Sequence, residues 1–352
     1  PRKRQVNERV NFIFSEIEKV EADNNKVILK SSEEIEYDYL IVATGTTPRP
    51  DQTPGLDDPA IWYRSAFDFY TLEGSVALQK ALENFPGGKM VVHITELPLK
   101  CPVAPLEFAF LADSYFKKRG IRDKVQIHYV TPLEGAFTKP VCSKTLGYLL
   151  EERDIQLETD YVIERIDPET KTMYSMDERE INFDLLVTVP LNMGADFIGA
   201  SGLGDELNYL PVDKETFLST DYNNIFALGD ASNIPASKAG SVAHFAVEVF
   251  AENFVNYVNN LPMEKKFDGH ANCFIESGNG KGLLIDFNYT TEPLPGKFPL
   301  PVVGPMPLLK ESHINHLGKL AFRWIYWNML LPGRKLPIST SMQMAGKKKV
   351  EG

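Results

Sequence analysis

The sequence predicts an α/β fold: two strand–helix domains, one inserted into the other, then a C-terminal region of strands and an amphipathic helix. Three observations carry that expectation. Residues 225–228, Ile-Phe-Ala-Leu, are a short apolar run that reads as a buried parallel strand, and Gly229-Asp230-Ala231 turns sharply out of it. Residues 39–43 are a second such run, which continues into Thr44-Gly45 and a proline-rich exit. Between the two, residues 89–189 repeat one order of elements: strand, helix, strand, then a meander and a closing apolar strand.

Taken in order, residues 10–14 and 26–29 read as strands, with Asp23-Asn24-Asn25 as turn chemistry between them. Residues 65–85 carry a helical pattern that Pro86-Gly87-Gly88 ends. The second unit runs through strand 89–95, helix 106–118, strand 124–130, helix 143–153, strands 155–166 and 171–175, and strand 183–189. Residues 241–257 then form an amphipathic helix, and 273–289 a hairpin around Ser277-Gly278-Asn279-Gly280-Lys281-Gly282. A last helical stretch, 311–331, stops at Pro332-Gly333, with Lys319 and Arg323 on one face and Trp324, Trp327 and Leu331 nearby. The whole reads as tandem Rossmann-like domains.

Bulk properties narrow the function. At 352 residues, 43% hydrophobic and 24% charged, the chain has room for two or three domains of an ordinary globular protein. A net charge of −11 argues against a nucleic-acid partner. No apolar run reaches the ~18 residues of a transmembrane helix. From Met306 onward eight Lys/Arg face two Glu, so the C-terminal region alone is basic. Three cysteines, Cys101, Cys142 and Cys273, are too few and too scattered for a disulfide scaffold or a zinc cluster, and no metal site is expected. They leave room for one functional pair.

Two stretches carry chemistry. Gly229-Asp230 would present a carboxylate at the carboxyl edge of a sheet, where a ribityl or ribose hydroxyl can lie. The helix beginning near Gly240 would turn free N–H groups and a partial positive charge toward an electron-rich ring edge. Such a pair can hold both ends of a flavin. In the second unit, the strand-to-helix loop 95–105 contains no glycine, so a pyrophosphate cannot approach its backbone and nicotinamide binding is not expected. Cys101 stands there instead, followed by Pro102 and Pro105, which suit a first helical turn. Helix N–H groups and Lys100 should favour its thiolate, a redox setting rather than that of a packing cysteine. Cys273 and Cys142 are its candidate partners; Cys142, at the start of a surface-type helix, reads as a bystander. Spacing alone leaves three pairings open.

Residues 39–50 and 222–245 resemble the second and third FAD-contact motifs of the two-dinucleotide-domain flavoproteins. Lys-Cys-Pro-Val-Ala-Pro at 100–105, Gly-Asp-Ala-Ser-Asn at 229–233, Ser-Lys-Ala-Gly-Ser at 237–241 and Gly-Lys-Gly-Leu-Leu-Ile-Asp-Phe-Asn-Tyr at 280–289 resemble sulfide:quinone oxidoreductases. The flavoprotein subunit of flavocytochrome c sulfide dehydrogenase shares much of this pattern. The resemblance implies a FAD-dependent oxidation of sulfide to sulfane sulfur or polysulfide, with two electrons passing through the flavin to a membrane quinone. Cys101 and Cys273 match the cysteines that flank the flavin and act as the catalytic pair; no role carries over to Cys142. Thr44 and Gly45 match positions near the FAD pyrophosphate or ribityl chain, and Gly229 and Asp230 match the ribityl contact. Lys238, Ala239 and Gly240 match the pyrimidine edge of the isoalloxazine. Lys281 and Phe287 resemble residues lining a quinone pocket. Glu96 and Glu107 are candidate proton carriers, weighed against solvated acids, and His244 and His270 read as hydrogen-bonded structure.

The domains implied are 1–60 with 188–262 for FAD, 61–187 as a degenerate NAD-like fold, and 263–352 for quinone and membrane contact. No G-x-G-x-x-G follows Pro1-Arg2-Lys3-Arg4, so the sequence is expected to be a fragment without its first FAD-binding unit and to hold FAD poorly by itself. The aromatic C-terminal helix, flanked by Arg334, Lys335 and Lys347 to Lys349, suits anionic lipid. A peripheral, monotopic membrane protein is therefore expected, its membrane face unassigned, with sulfide, quinone and the membrane surface as partners and room for a homo-oligomer. Three alternatives stand beside this. A flavocytochrome-type sulfide dehydrogenase is opposed by the basic aromatic C-terminus, and an NADH:quinone oxidoreductase by the glycine-free loop. A non-catalytic binding or assembly module is opposed by the two placed cysteines.

Overall fold

Alternating burial sets the first sheet of the computed structural model, which describes residues 6–300, 304–336 and 338–348. β1 (Ile17–Glu21), β2 (Lys26–Leu29) and β3 (Glu34–Glu36) form an antiparallel meander that buries Val20, Val27 and Leu29. The strand expected at 10–14 does not form. Those residues pair with no strand and lie exposed, Phe14 at 90%. β4 (Leu40–Val42), β5 (Thr47–Arg49), β6 (Ala66–Phe67) and α1 (Leu72–Asn84) follow. The helix expected over 65–85 is shorter because Asp68 accepts the backbone N–H groups of Tyr70 and Thr71, holding a turn before it. Thr71 then caps α1, its Oγ1 accepting from the Gly74 N–H at 2.9 Å.

The next stretch builds a five-stranded parallel sheet. Its elements are β7 (Gly88–Ile94), α2 (Ala104–Arg119), β8 (Val125–Val130), α3 (Pro140–Glu151) and β9 (Ile155–Glu158). A meander of β10 (Ile163–Asp167), β11 (Thr172–Ser175) and β12 (Glu180–Asn182) leads to β13 (Leu185–Val189). The strand order is β6-β13-β7-β8-β9. β13 is buried at every residue, as a strand covered on both faces must be. The single strand expected over 155–166 is two, parted where Asp160 takes φ +55°. Beneath α2, the buried Asp113 carboxylate accepts from Arg122 and Lys117, both at 2.7 Å.

Past β13 the chain returns to the first unit. β14 (Leu191–Met193) pairs antiparallel with β5, and α4 (Asp196–Ala200) follows. β15 (Ile225–Ala227) pairs in parallel with β4, Ile225 opposite Leu40. α5 (Gly240–Val258) leads to the hairpin of β16 (Ala271–Gly278) and β17 (Lys281–Phe287). β18 (Gly296–Phe298) and β19 (Met306–Leu308) precede α6 (His313–Ile325), which runs into a π turn, Tyr326–Leu330. The helix expected from 311 starts at 313 because Ser312 Oγ accepts the Asn315 N–H and caps it. The result is an α/β fold of mixed parallel and antiparallel sheets with interspersed helices, of the general Rossmann type. One apolar core runs from the meander through α2, β15 and α5 to the last hairpin.

The hairpin is keyed onto α2 at Gly278, whose φ is +82° and whose added Cβ would stand 2.7 Å from Ser114 Cβ. Gly278→Ala therefore meets both backbone strain and a clash, and should lower stability by about 1–3 kcal/mol. Urea unfolding, with an unchanged slope, checks this; an unchanged midpoint would refute it.

Candidate active site at the start of helix α5

Two loops from different sheets meet at the N-terminus of α5. Lys100 and Lys238 form a parallel β-bridge, and the Cys101 N–H donates to the Lys238 carbonyl at 2.6 Å. Asn192 Oδ1 accepts the Lys100 N–H at 3.2 Å, and the Tyr70 hydroxyl donates to the Cys101 carbonyl at 3.4 Å. Cys101 itself takes φ +54°, a left-handed conformation unusual outside glycine, while its carbonyl accepts the Ala104 N–H that opens α2. From the other side, Cys273 Sγ lies 3.8 Å from Ser241 Oγ, in the first turn of α5. The Asn272 N–H donates to the same oxygen at 3.2 Å. The fold thus brings Cys101, Lys238, Ala239, Gly240, Ser241 and Cys273 to one helix end.

All three cysteines are free. The expected thiolate at Cys101 is corrected. Burial pushes that thiol up to about 11, with Glu107 adding to the rise and Lys319 and the Ala104 N–H opposing it. Desolvation outweighs the helix end and Lys100. Cys273 is pushed up to about 12, again by burial first, then by Cys101. Cys142 is not the surface residue expected: it is 0% exposed, inside the first turn of α3 with Lys139 as the cap, and burial raises its thiol.

The remaining predicted residues frame an open edge. Gly45 and Gly240 have no atom within 4 Å of where a Cβ would stand, and Thr44 is exposed. Gly229 takes φ +62° between β15 and Asp230. The half-buried Asp230 carboxylate accepts no hydrogen bond among the described residues, and burial raises its pKa against the pull of Lys238 and Lys100. Lys238 Nζ donates to the carbonyls of Asp230 and Ser232, both at 2.9 Å, and lies 3.7 Å from the centroid of the Tyr209 ring. Burial lowers its pKa to about 8. Backbone open at two glycines, a free carboxylate and a helix N-terminus suit an elongated flavin nucleotide. Tyr209 escaped sequence reading, since it comes from a loop with no motif of its own.

The C-terminal region closes the other side. Lys319 of α6 pairs with Glu107 in the first turn of α2, near Cys101. Burial raises the Glu107 pKa, and Lys319 works against it. Glu96 lies on the loop before Cys101. His244 sits 3.0 Å from Glu248 one turn on, and His270 lies within 2.7 Å of Asp286. Lys281 is exposed at the hairpin tip while Phe287 is buried at the far end of β17, about 20 Å apart by strand rise. The structure does not bring those two together. On α6 and the π turn beyond it, Leu317, Leu320, Trp324 and Trp327 form an exposed stripe, and no described helix is long and apolar enough to cross a membrane.

No family model matches the chain. The mitochondrial sulfide:quinone oxidoreductase of Mus musculus is 26% identical over 331 residues, 92% of this chain and 72% of that protein. That of Dictyostelium discoideum is 28% identical over 319 residues, 89% of this chain and 69% of the relative. The sulfide-quinone reductase of Aquifex aeolicus is 25% identical over 333 residues, 89% of this chain and 72% of the relative. Among solved structures, the sulfide:quinone oxidoreductase of Aquifex aeolicus superposes with a TM-score of 0.72 at 22% identity, covering 92% of this chain and 76% of that one. A chain of the mitochondrial ATP synthase of Tetrahymena thermophila gives 0.70 at 20% identity, covering 94% and 79%. At such identities the structures show the shared fold alone. The sequence relatives, at moderate identity, support an oxidoreductase of the general flavoenzyme class.

Raised thiols predict slow native alkylation. At pH 8 a thiol with a pKa near 11 is about one-thousandth thiolate, so iodoacetamide should label Cys101 and Cys273 slowly and Cys142 hardly at all. Labelling followed by peptide mass analysis should show the first two rates climbing steadily to pH 11. Fast labelling of Cys101 at pH 7 would contradict the burial argument.

Proposed function

We propose that the chain oxidises sulfide at Cys101 and Cys273 and delivers the two electrons to a quinone. The observation that supports this most is the approach of both cysteines to the start of α5, Cys101 at Lys238 and Cys273 at Ser241. Bound FAD supplies a two-electron relay between sulfur and quinone. In this reading 1–60 with 188–262 hold the FAD, 61–187 is a nucleotide-type fold that has exchanged its phosphate loop for Cys101, and 263–352 meets quinone and membrane. Asp230, with Gly229, anchors the ribityl hydroxyls, and Thr44 and Gly45 let the nucleotide chain pass close to backbone. Lys238, Ala239 and Gly240 border the pyrimidine edge, where the α5 N–H groups favour electron density.

The sulfur chemistry balances with quinone as the two-electron oxidant. Hydrosulfide attacks one sulfur of an oxidised Cys101–Cys273 pair; the S–S bond breaks, a new S–S bond forms to the incoming sulfur, and the other cysteine leaves as thiolate. A second sulfide then takes the sulfane sulfur, releasing the remaining cysteine. The two electrons gained by the cysteines are those lost by sulfide, and their passage to quinone restores the disulfide. Glu107, paired with Lys319 near Cys101, is the candidate proton carrier for these thiolates. Lys281 and Phe287 border the quinone path from either end of β17. The apolar stripe of α6, with Arg334 and Lys335 beyond it, lies on the membrane surface where quinones are found.

Anaerobic absorbance of the flavin-loaded, full-length protein tests this. Sulfide should bleach the flavin, a soluble quinone should restore it, and NADH should do nothing. Cys101→Ser and Cys273→Ser should each slow sulfide-dependent bleaching by about a thousandfold or more. Bleaching by NADH alone, or unaffected variants, would sink the reading.

A further inference from the structure

The last described residues return to the hairpin that carries Cys273 and bury an ammonium there. The side chains of Lys347 and Asp286 are each 2% exposed, and Lys347 Nζ donates to Asp286 Oδ2 and, at 2.7 Å, to the Gln343 carbonyl. Backbone bonds fix the segment: the Lys297 N–H donates to the Gly346 carbonyl at 2.9 Å, and the Lys348 N–H to that of Pro295 at 2.8 Å. The other Asp286 oxygen, Oδ1, meets His270 Nε2 at 2.7 Å and accepts from Asn272 Nδ2 at 3.0 Å. Asn272 lies directly across the ladder from Asp286, and Cys273 is the next residue, opposite Ile285. The His270 ring stacks on Phe245 of α5 with centroids 4.4 Å apart and planes within 2°. Phe245 is one turn along from Ser241, the neighbour of Cys273 Sγ. One buried ion pair therefore grips the residues leading into Cys273 from one side while α5 grips them from the other.

We propose that Lys347 is a positioning residue for the Cys273 thiol, cancelling the charge of Asp286 across the ladder from Asn272 and locking Asn272 and His270 against α5. A buried carboxylate left without its cation is a strong local anion in a poorly solvated interior, and it opposes ionisation of a neighbouring thiol. Ser241 of α5 lies beside the Cys273 sulfur, and the titratable groups that bear on that thiol are Cys101 from the loop before α2, Asp286 from β17, Glu107 from the first turn of α2, paired to Lys319 of α6, and Cys142 from α3. Lys347 is the cation on the Asp286 side of that set and Lys319 the cation on the Glu107 side. The inference concerns the thiol itself, and it stands or falls apart from sulfide oxidation.

The test is the rate of Cys273 alkylation by iodoacetamide in the full-length chain, read by peptide mass analysis, which resolves each cysteine. At pH 8.5, where the Lys347 ammonium is charged, Lys347→Gln should slow Cys273 labelling several-fold. Lys347→Arg should restore most of the rate, and adding Asp286→Asn to Lys347→Gln should return the rate to that of the unaltered chain. Faster or unchanged labelling in Lys347→Gln would show a merely mechanical clasp and overturn the proposal. Labelling of buried Cys142 reports unfolding. Should Lys347→Gln unfold by that criterion, Asp286→Asn alone carries the test: faster Cys273 labelling with Cys142 still protected supports the proposal, and an unchanged rate overturns it.

Discussion

The hydrogen bond from the Cys101 N–H to the Lys238 carbonyl joins the two halves of the candidate site. One partner belongs to the loop after β7, the other to the loop before α5, and no other backbone bridge links those two loops among the described residues. Everything that follows depends on it. It sets where α2 begins, so it places Glu107, and through Glu107 it places α6. It also fixes the start of α5, and with it Ser241, which receives the strand bearing Cys273. A single strand-like contact thereby orders three helices and a hairpin around one helix end.

The electrostatics of this place are those of a poorly solvated interior. Helix N-termini, Lys100 and Lys319 all favour anions, yet both cysteine thiols sit well above their ordinary range, because removal of water outweighs partial charges at a helix end. The same loss of water lowers the Lys238 ammonium toward neutral pH. Groups held close to their uncharged forms exchange protons with little rearrangement of charge.

Local patterns were legible in the sequence, and contacts between distant residues were not. Gly-Asp after an apolar strand, the cysteine in place of a glycine loop, and the hairpin behind Cys273 were visible because each is a local pattern with its own stereochemistry. What stayed hidden was set by distant partners. Residues 10–14 have the composition of a strand but no neighbour to pair with, and 65–71 look helical until Asp68 holds their turn. Cys142 looked exposed because its flanking residues are polar, whereas α3 turns that position into the core. Tyr209 under Lys238, and Lys347 beside Asp286, lie 29 and 61 positions from their partners, beyond any periodicity.

The backbone at Cys101 adds one consequence on a longer timescale. A side chain held at φ +54° costs about 1–2 kcal/mol relative to the right-handed region, and glycine or asparagine would rest there with less strain. On the proposed reading it is the use of the sulfur that sets a cysteine against that preference. In lineages that kept this fold but gave up the chemistry, mutational drift should relax the position to glycine or asparagine. The residue found there would separate working descendants from silent ones.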